Sequence, residues 1–129
     1  MLRTDMIKIH EFDPQIYPRK LWIAITDKAV FDAKPLDEAA AAEVIDAHDG
    51  VNGGVLIRFR NKKSLTSKHA THEAVHAAML ILEYAEVKLD YQNQEPLAYL
   101  AGWVSECIDE VKRFKPKIDI SANKKRGED

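Results

Sequence analysis

Thr66-Ser67-Lys68-His69-Ala70-Thr71-His72-Glu73-Ala74-Val75-His76-Ala77-Ala78-Met79-Leu80-Ile81-Leu82-Glu83-Tyr84-Ala85-Glu86 contains neither glycine nor proline. It opens on the cap formers Thr66 and Ser67 and is apolar over most of a helical circumference, which predicts a buried, central helix. Residues four apart share a helix face, so His72 and His76 can aim both imidazoles at one ion beside the helix, half of a tetrahedral site. Glu73 projects at the edge of that face, where it can reach a water on the ion without being a ligand. Zinc lowers the pKa of bound water and polarises a carbonyl, so one ion and one carboxylate base suffice to hydrolyse an amide. With five His and ten Glu in 129 residues, chance alone gives such a spacing in about one chain in seventy. The weight therefore rests on the surrounding sequence.

Downstream, a second helix is predicted from about Asn93 to Phe114, with Pro96 in its first turn and Leu97, Leu100, Ala101, Val104, Ile108 and Val111 at helical spacing. Pro116 stops it. Upstream, Gly53-Gly54 leads into Val55-Leu56-Ile57-Arg58-Phe59-Arg60, where Val55, Ile57 and Phe59 share one face and Arg58 and Arg60 the other, the pattern of a strand with one wet face. Lys20 to Thr26 is short, apolar and partly β-branched after Pro18, which suits a buried strand, and Met6 to Phe12 reads as another. Between Leu36 and Ala47 an alanine-rich segment with Asp37 and Glu38 near its start and Asp49-Gly50 after its end predicts a helix. The sequence has no internal repeat.

The length fits one domain, and 46% hydrophobic residues suffice for one core. Nineteen basic and 21 acidic side chains give a net charge of −2, which makes no case for nucleic acid as a ligand. The beginning of the chain lacks a signal-peptide core and no stretch approaches membrane-spanning length, so a cytoplasmic location is expected. Cys107 is the single cysteine, which excludes an internal disulfide and a thiolate cage and leaves His and carboxylate groups as metal ligands.

With His72-Glu73-Ala74-Val75-His76 on one helix and Asn93-Gln94-Glu95-Pro96-Leu97-Ala98-Tyr99 opening the next, the chain resembles the gluzincin group of zincin metallopeptidases. In that group a glutamate on the following helix supplies the third zinc ligand some twenty residues after the motif, and Glu95 stands nineteen residues after His76. The resemblance covers about Val55 to Glu106. His-Glu-Ala-Val-His-Ala-Ala followed by Asn-Gln-Glu-Pro-Leu-Ala-Tyr-Leu-Ala-Gly-Trp is also similar to short zincin-like proteins of bacteriophages and mobile elements, which implies a virion-associated location if the chain is phage-encoded. It departs from the larger gluzincins at Tyr99, where they often carry an aspartate that orients a zinc histidine. Those enzymes also have a further subdomain that stabilises the oxyanion; here Tyr99, Tyr91 and His69 are the substitutes.

Plainer readings stand beside these. His72 and His76 can be polar residues of a half-exposed helix, and Glu95 a favourable charge near a helix N-terminus. Glu83 is nearly in line with His72 but two to three turns away at about 1.5 Å per residue, too far to share its ion. His69 is an extra ligand, a substrate contact or a solvated residue of the first turn. Gly102 allows close approach or mere packing, Trp22 and Trp103 read as core aromatics, and Lys124-Lys125-Arg126 as a solvated tail. His10 and His48 have no visible partner.

The expected fold is α+β and zincin-like: a small twisted sheet, an active-site helix and a second, ligand-bearing helix in residues 1–115, with a polar tail at 116–129. An edge strand from Gly54 to Arg60 beside the cleft would pair with an extended peptide, Arg58 and Arg60 meeting substrate or solvent. The resemblance implies a zinc metallopeptidase acting on a peptide or protein substrate. On that resemblance zinc would be held by His72, His76 and Glu95, Glu73 would take a proton from the metal-bound water, and Tyr99 would orient a ligand or assist the oxyanion. The alternative is a zincin-like structural or regulatory protein that holds metal without general peptidase activity.

Overall fold

The computed structural model describes residues 7–116. In the segments Lys20–Ile25 and Gly53–Phe59, Leu21, Ile23, Val55, Ile57 and Phe59 point one way and Trp22, Ala24 and Leu56 the other, all buried. A sheet built on such strands needs cover on both faces. With β1 (Ile9–Phe12), β2 (Lys20–Ile25), β3 (Ala42–His48) and β4 (Gly53–Phe59), the order is β1-β2-β4-β3. The central pair β2 and β4 is parallel, and both outer strands run antiparallel to their neighbours. Gly54 is required at the start of β4, since a Cβ there would stand 2.6 Å from the Lys20 carbonyl oxygen and 2.6 Å from the Trp22 ring.

Two helices, α1 (Ser67–Tyr84) and α2 (Glu95–Arg113), cover one face of the sheet. α1 lies over β3 and β4, and α2 packs beside it over β2. Their apolar stripes, Ala74, Ala77, Ala78, Ile81 and Leu82 on α1 and Leu100, Val104, Ile108 and Val111 on α2, close the main core on that face. The fold is α+β, as the sequence predicts. Thr66 caps α1, its hydroxyl accepting from the His69 N–H at 3.2 Å, and Pro96 sits in the first turn of α2, where its missing N–H costs nothing.

Several expectations are corrected. The segment Leu36 to Ala47 is not a helix but a loop followed by the strand β3. Seven residue pairs with β4, plus burial of Ala47 on one face and of Ala42 and Val44 against α1 on the other, outweigh the local alanine preference. β4 has no wet face: Arg58 is 1% exposed, because the loop containing Val30 and Ala33 covers the back of the sheet. Arg60 is partly exposed but tied down, donating to the Ala40 carbonyl at 2.9 Å and to Asp27 at 3.2 Å. Nor is β4 an edge strand, being enclosed by β2 and β3.

α1 is also buried on one side only, with His72, His76 and Glu83 exposed on its outer face. α2 begins at Glu95 rather than Asn93, and β1 at Ile9. Met6 and the tail from 117 onward lie outside the described residues. Among the described residues no helix is long and apolar enough to cross a membrane.

Candidate metal centre

α1 turns His72, Glu73 and His76 toward an open groove of about 700 Å³ between the outer strand β3 and the chain that leaves α1. Ala42 and Val44 of β3 form one wall and Val87 and Leu89 the other, with Met79, Leu80 and Glu83 continuing the floor along the helix. The strand beside this groove is thus β3, whose outer edge pairs with no described strand.

The two imidazoles are brought together. Their Nε2 atoms stand 3.2 Å apart, with ring centroids at 4.7 Å in an edge-to-face arrangement. One arrangement with this spacing is an N–H···N hydrogen bond between neutral rings. The other is a pair of zinc ligands: nitrogen donors about 2.0–2.1 Å from an ion at the tetrahedral angle are about 3.3–3.4 Å apart. The donor chemistry and spacing of His72 and His76 therefore fit two positions of a zinc site.

Glu73 differs from His72 and His76 in being only 7% exposed. Burial lifts its carboxyl above the usual carboxylate range, while His72, His76 and His69 draw it partly back down. A carboxylate of raised basicity beside two imidazoles suits proton abstraction from a water in the groove.

Glu95 and Tyr99 stand apart from the pair. Among the described residues no three His, Cys, Asp or Glu side chains converge so as to hold one ion, so Glu95, exposed at the first position of α2, does not complete the set. Tyr99 is 78% exposed and faces a shallow depression with Asp13, Tyr17 and Trp103 rather than the groove. Tyr91 lies fully open over a second, more apolar hollow formed by α1, the connection and the start of α2, which shares Met79 and Leu89 with the first. His69 is half-buried, its Nδ1 held 2.7 Å from the Ser64 carbonyl oxygen.

The remaining residues singled out in the sequence have structural settings. A Cβ on Gly102 would meet nothing within 4 Å, so no close approach depends on it. Trp22 is a core aromatic whose Nε1 donates to Glu11 at 2.9 Å, and Trp103 packs against the main core. His10 does have a partner, the edge of Phe114 at 4.8 Å, and the Nδ1 of His48 accepts from the Gly50 N–H at 3.0 Å.

Sequence reasoning missed the groove walls. Ala42 and Val44 were hidden by the helical reading of their segment, whereas Glu83 carried a usable signal, since its spacing of seven from His76 is two turns on one face. Comparison with protein-family models, with curated proteins and with solved structures gave no match.

Proposed function

We propose that this chain is a zinc-dependent metallopeptidase of the HExxH type, with a minimal zincin-like architecture. The observation that carries the reading is the pair of exposed imidazoles with Nε2 atoms 3.2 Å apart, flanked by a buried carboxylate of raised basicity in a groove beside an outer strand. In this reading His72 and His76 would hold the ion, and Glu95, which stands apart from them in this structure, would be the third ligand. A bound zinc ion would supply charge to polarise a carbonyl and acidify water.

The chain's own groups do the rest. The outer edge of β3 offers backbone donors and acceptors to an extended peptide, aligning it along the groove. Apolar walls from Val44, Leu80 and Leu89 exclude water from one side of it. Glu73 accepts a proton from the attacking water and returns it to the leaving amine, a role for which its raised basicity is suited.

A second reading, metal binding without general peptidase activity, is supported by the absence of Tyr99, Tyr91 and His69 from the groove lining, which leaves no described oxyanion donor there. Metal analysis of the purified chain with His72→Ala and His76→Ala tests the common element: wild type should retain about one zinc per chain and both variants should lose it. A wild type that takes up no zinc, or variants that keep it, would overturn both readings. Glu73→Gln separates the two, retaining zinc and abolishing cleavage if the chain is a peptidase.

A further inference from the structure

The groove over His72 and His76 does not end in apolar side chains. Two turns further along the same face of α1 its lining includes Glu83, together with Val44, Leu80, Val87 and Leu89. Glu83 is exposed and forms no ion pair with any described residue. The lining holds two carboxylates, Glu73 and Glu83, and neither lysine nor arginine. A carboxylate in a groove with apolar walls matches one kind of side chain: a long aliphatic stem with a cationic head.

The spacing is also suitable. Seven helical residues advance about 10 Å, and an extended peptide advances about 3.3 Å per residue. A substrate residue three positions from the one over His76 therefore lies opposite Glu83, and a long side chain reaches it from two positions away. We infer that Glu83 is a specificity-determining residue that takes a lysine or arginine two or three residues from the bond held over His72 and His76. This rests on the peptidase reading. The stem of the basic side chain lies along Leu80 and Val87, and the head meets the Glu83 carboxylate. Because that carboxylate is solvent-exposed, the pair contributes selectivity of a few-fold rather than tight binding.

The test uses the zinc-treated full chain carrying Glu73→Gln, immobilised and exposed to a randomised decapeptide library whose retained members are sequenced. Lysine and arginine should be enriched over aspartate and glutamate about fivefold at one position. Adding Glu83→Gln should reduce the ratio to near one, and adding Glu83→Arg should invert it. Absence of basic enrichment, or enrichment that survives Glu83→Arg, overturns the role of Glu83. Zinc content measured on the same preparations judges the metallopeptidase reading separately: a chain that selects basic peptides without zinc sinks that reading and leaves Glu83 as a peptide-binding determinant.

Discussion

Arg58, in the middle of β4, donates from Nε to Glu43 of the neighbouring strand β3 at 3.0 Å, and a second nitrogen of the same guanidinium meets the same carboxylate oxygen. A third donor reaches the Lys28 carbonyl at 2.7 Å. The guanidinium thus ties the outer strand to the loop that covers the back of the sheet. Removing Glu43 leaves a guanidinium that is 1% exposed without its counter-charge, and breaking a buried pair from one side is costly. Glu43→Ala should lower stability by about 3 kcal/mol, measured by urea denaturation. The double replacement Arg58→Met with Glu43→Leu should cost clearly less than the two single changes added together, because no charge is then stranded.

That pair also marks where the sequence stopped being legible. α1 and α2 were readable because capping, proline placement and apolar spacing are local, and they came out within a few residues of their observed ends. The alternation in β4 was readable too, but what covers Arg58 was not: the loop over it lies some thirty residues away and has no periodicity. Ala42–His48 misled for a similar reason. The alanines at 39–42 that lead into it favour a helix by a few tenths of a kcal/mol per residue, and the ladder with β4 that overrides this is not encoded locally. At the site, the spacing of His72, Glu73 and His76 was legible because four residues on one helix fix their own geometry. The placement of Glu95 depends on a connection of ten residues, and no local rule sets its path.

Two residues past the end of α1, Glu86 lies in the left-handed region, φ 60°, and the Val87 N–H donates back to the Leu82 carbonyl at 3.0 Å. Val87 packs against the core, completing a C-terminal capping turn in a position that favours glycine. A side chain with a Cβ is strained at this φ. Glu86→Gly should therefore raise stability by about 0.5–1 kcal/mol, visible as a higher thermal midpoint. A fall in the midpoint would show that the Glu86 side chain contributes more than its backbone strain costs.

The thiol of Cys107 is buried on the inner face of α2, and burial, with Glu110 and Glu106 adding to it, pushes its pKa up to about 12. The native thiol should resist a disulfide reagent at pH 8 and react within the unfolding transition in denaturant. The folded thiol keeps its proton up to about 12, while the unfolded one releases it near 9. Over that window the native state binds more protons, so stability falls as pH rises above 9. Cys107→Ala should flatten this alkaline slope while introducing a modest cavity cost at neutral pH. Equal slopes in the two proteins would remove Cys107 as its source.

Glu95 is the residue that the histidine pair needs if the three-ligand site of the proposed reading is to form. As the first residue of α2 it is exposed and follows a connection that is mostly solvent-exposed, whereas Leu97, two positions on, packs against the core. A carboxylate there has two separable consequences. Its charge favours the helix N-terminus whatever else it does, an effect below about 1 kcal/mol. As a ligand its loss would weaken zinc binding by about a hundredfold or more, since even outer-shell partners contribute ten- to hundredfold. Glu95→Gln and Glu95→Ala should therefore change the stability of the zinc-free protein only slightly, yet reduce zinc affinity sharply in competition with a chromophoric chelator. Adding zinc to wild type should also slow hydrogen exchange at the amides of Glu95, Leu97, Ala98 and Tyr99, as the first turn of α2 becomes fixed, and should leave them unchanged in Glu95→Ala. Were both variants to bind zinc as wild type does, with no zinc-dependent protection over that turn, Glu95 would be a helix-terminal charge and the third ligand would have to come from elsewhere.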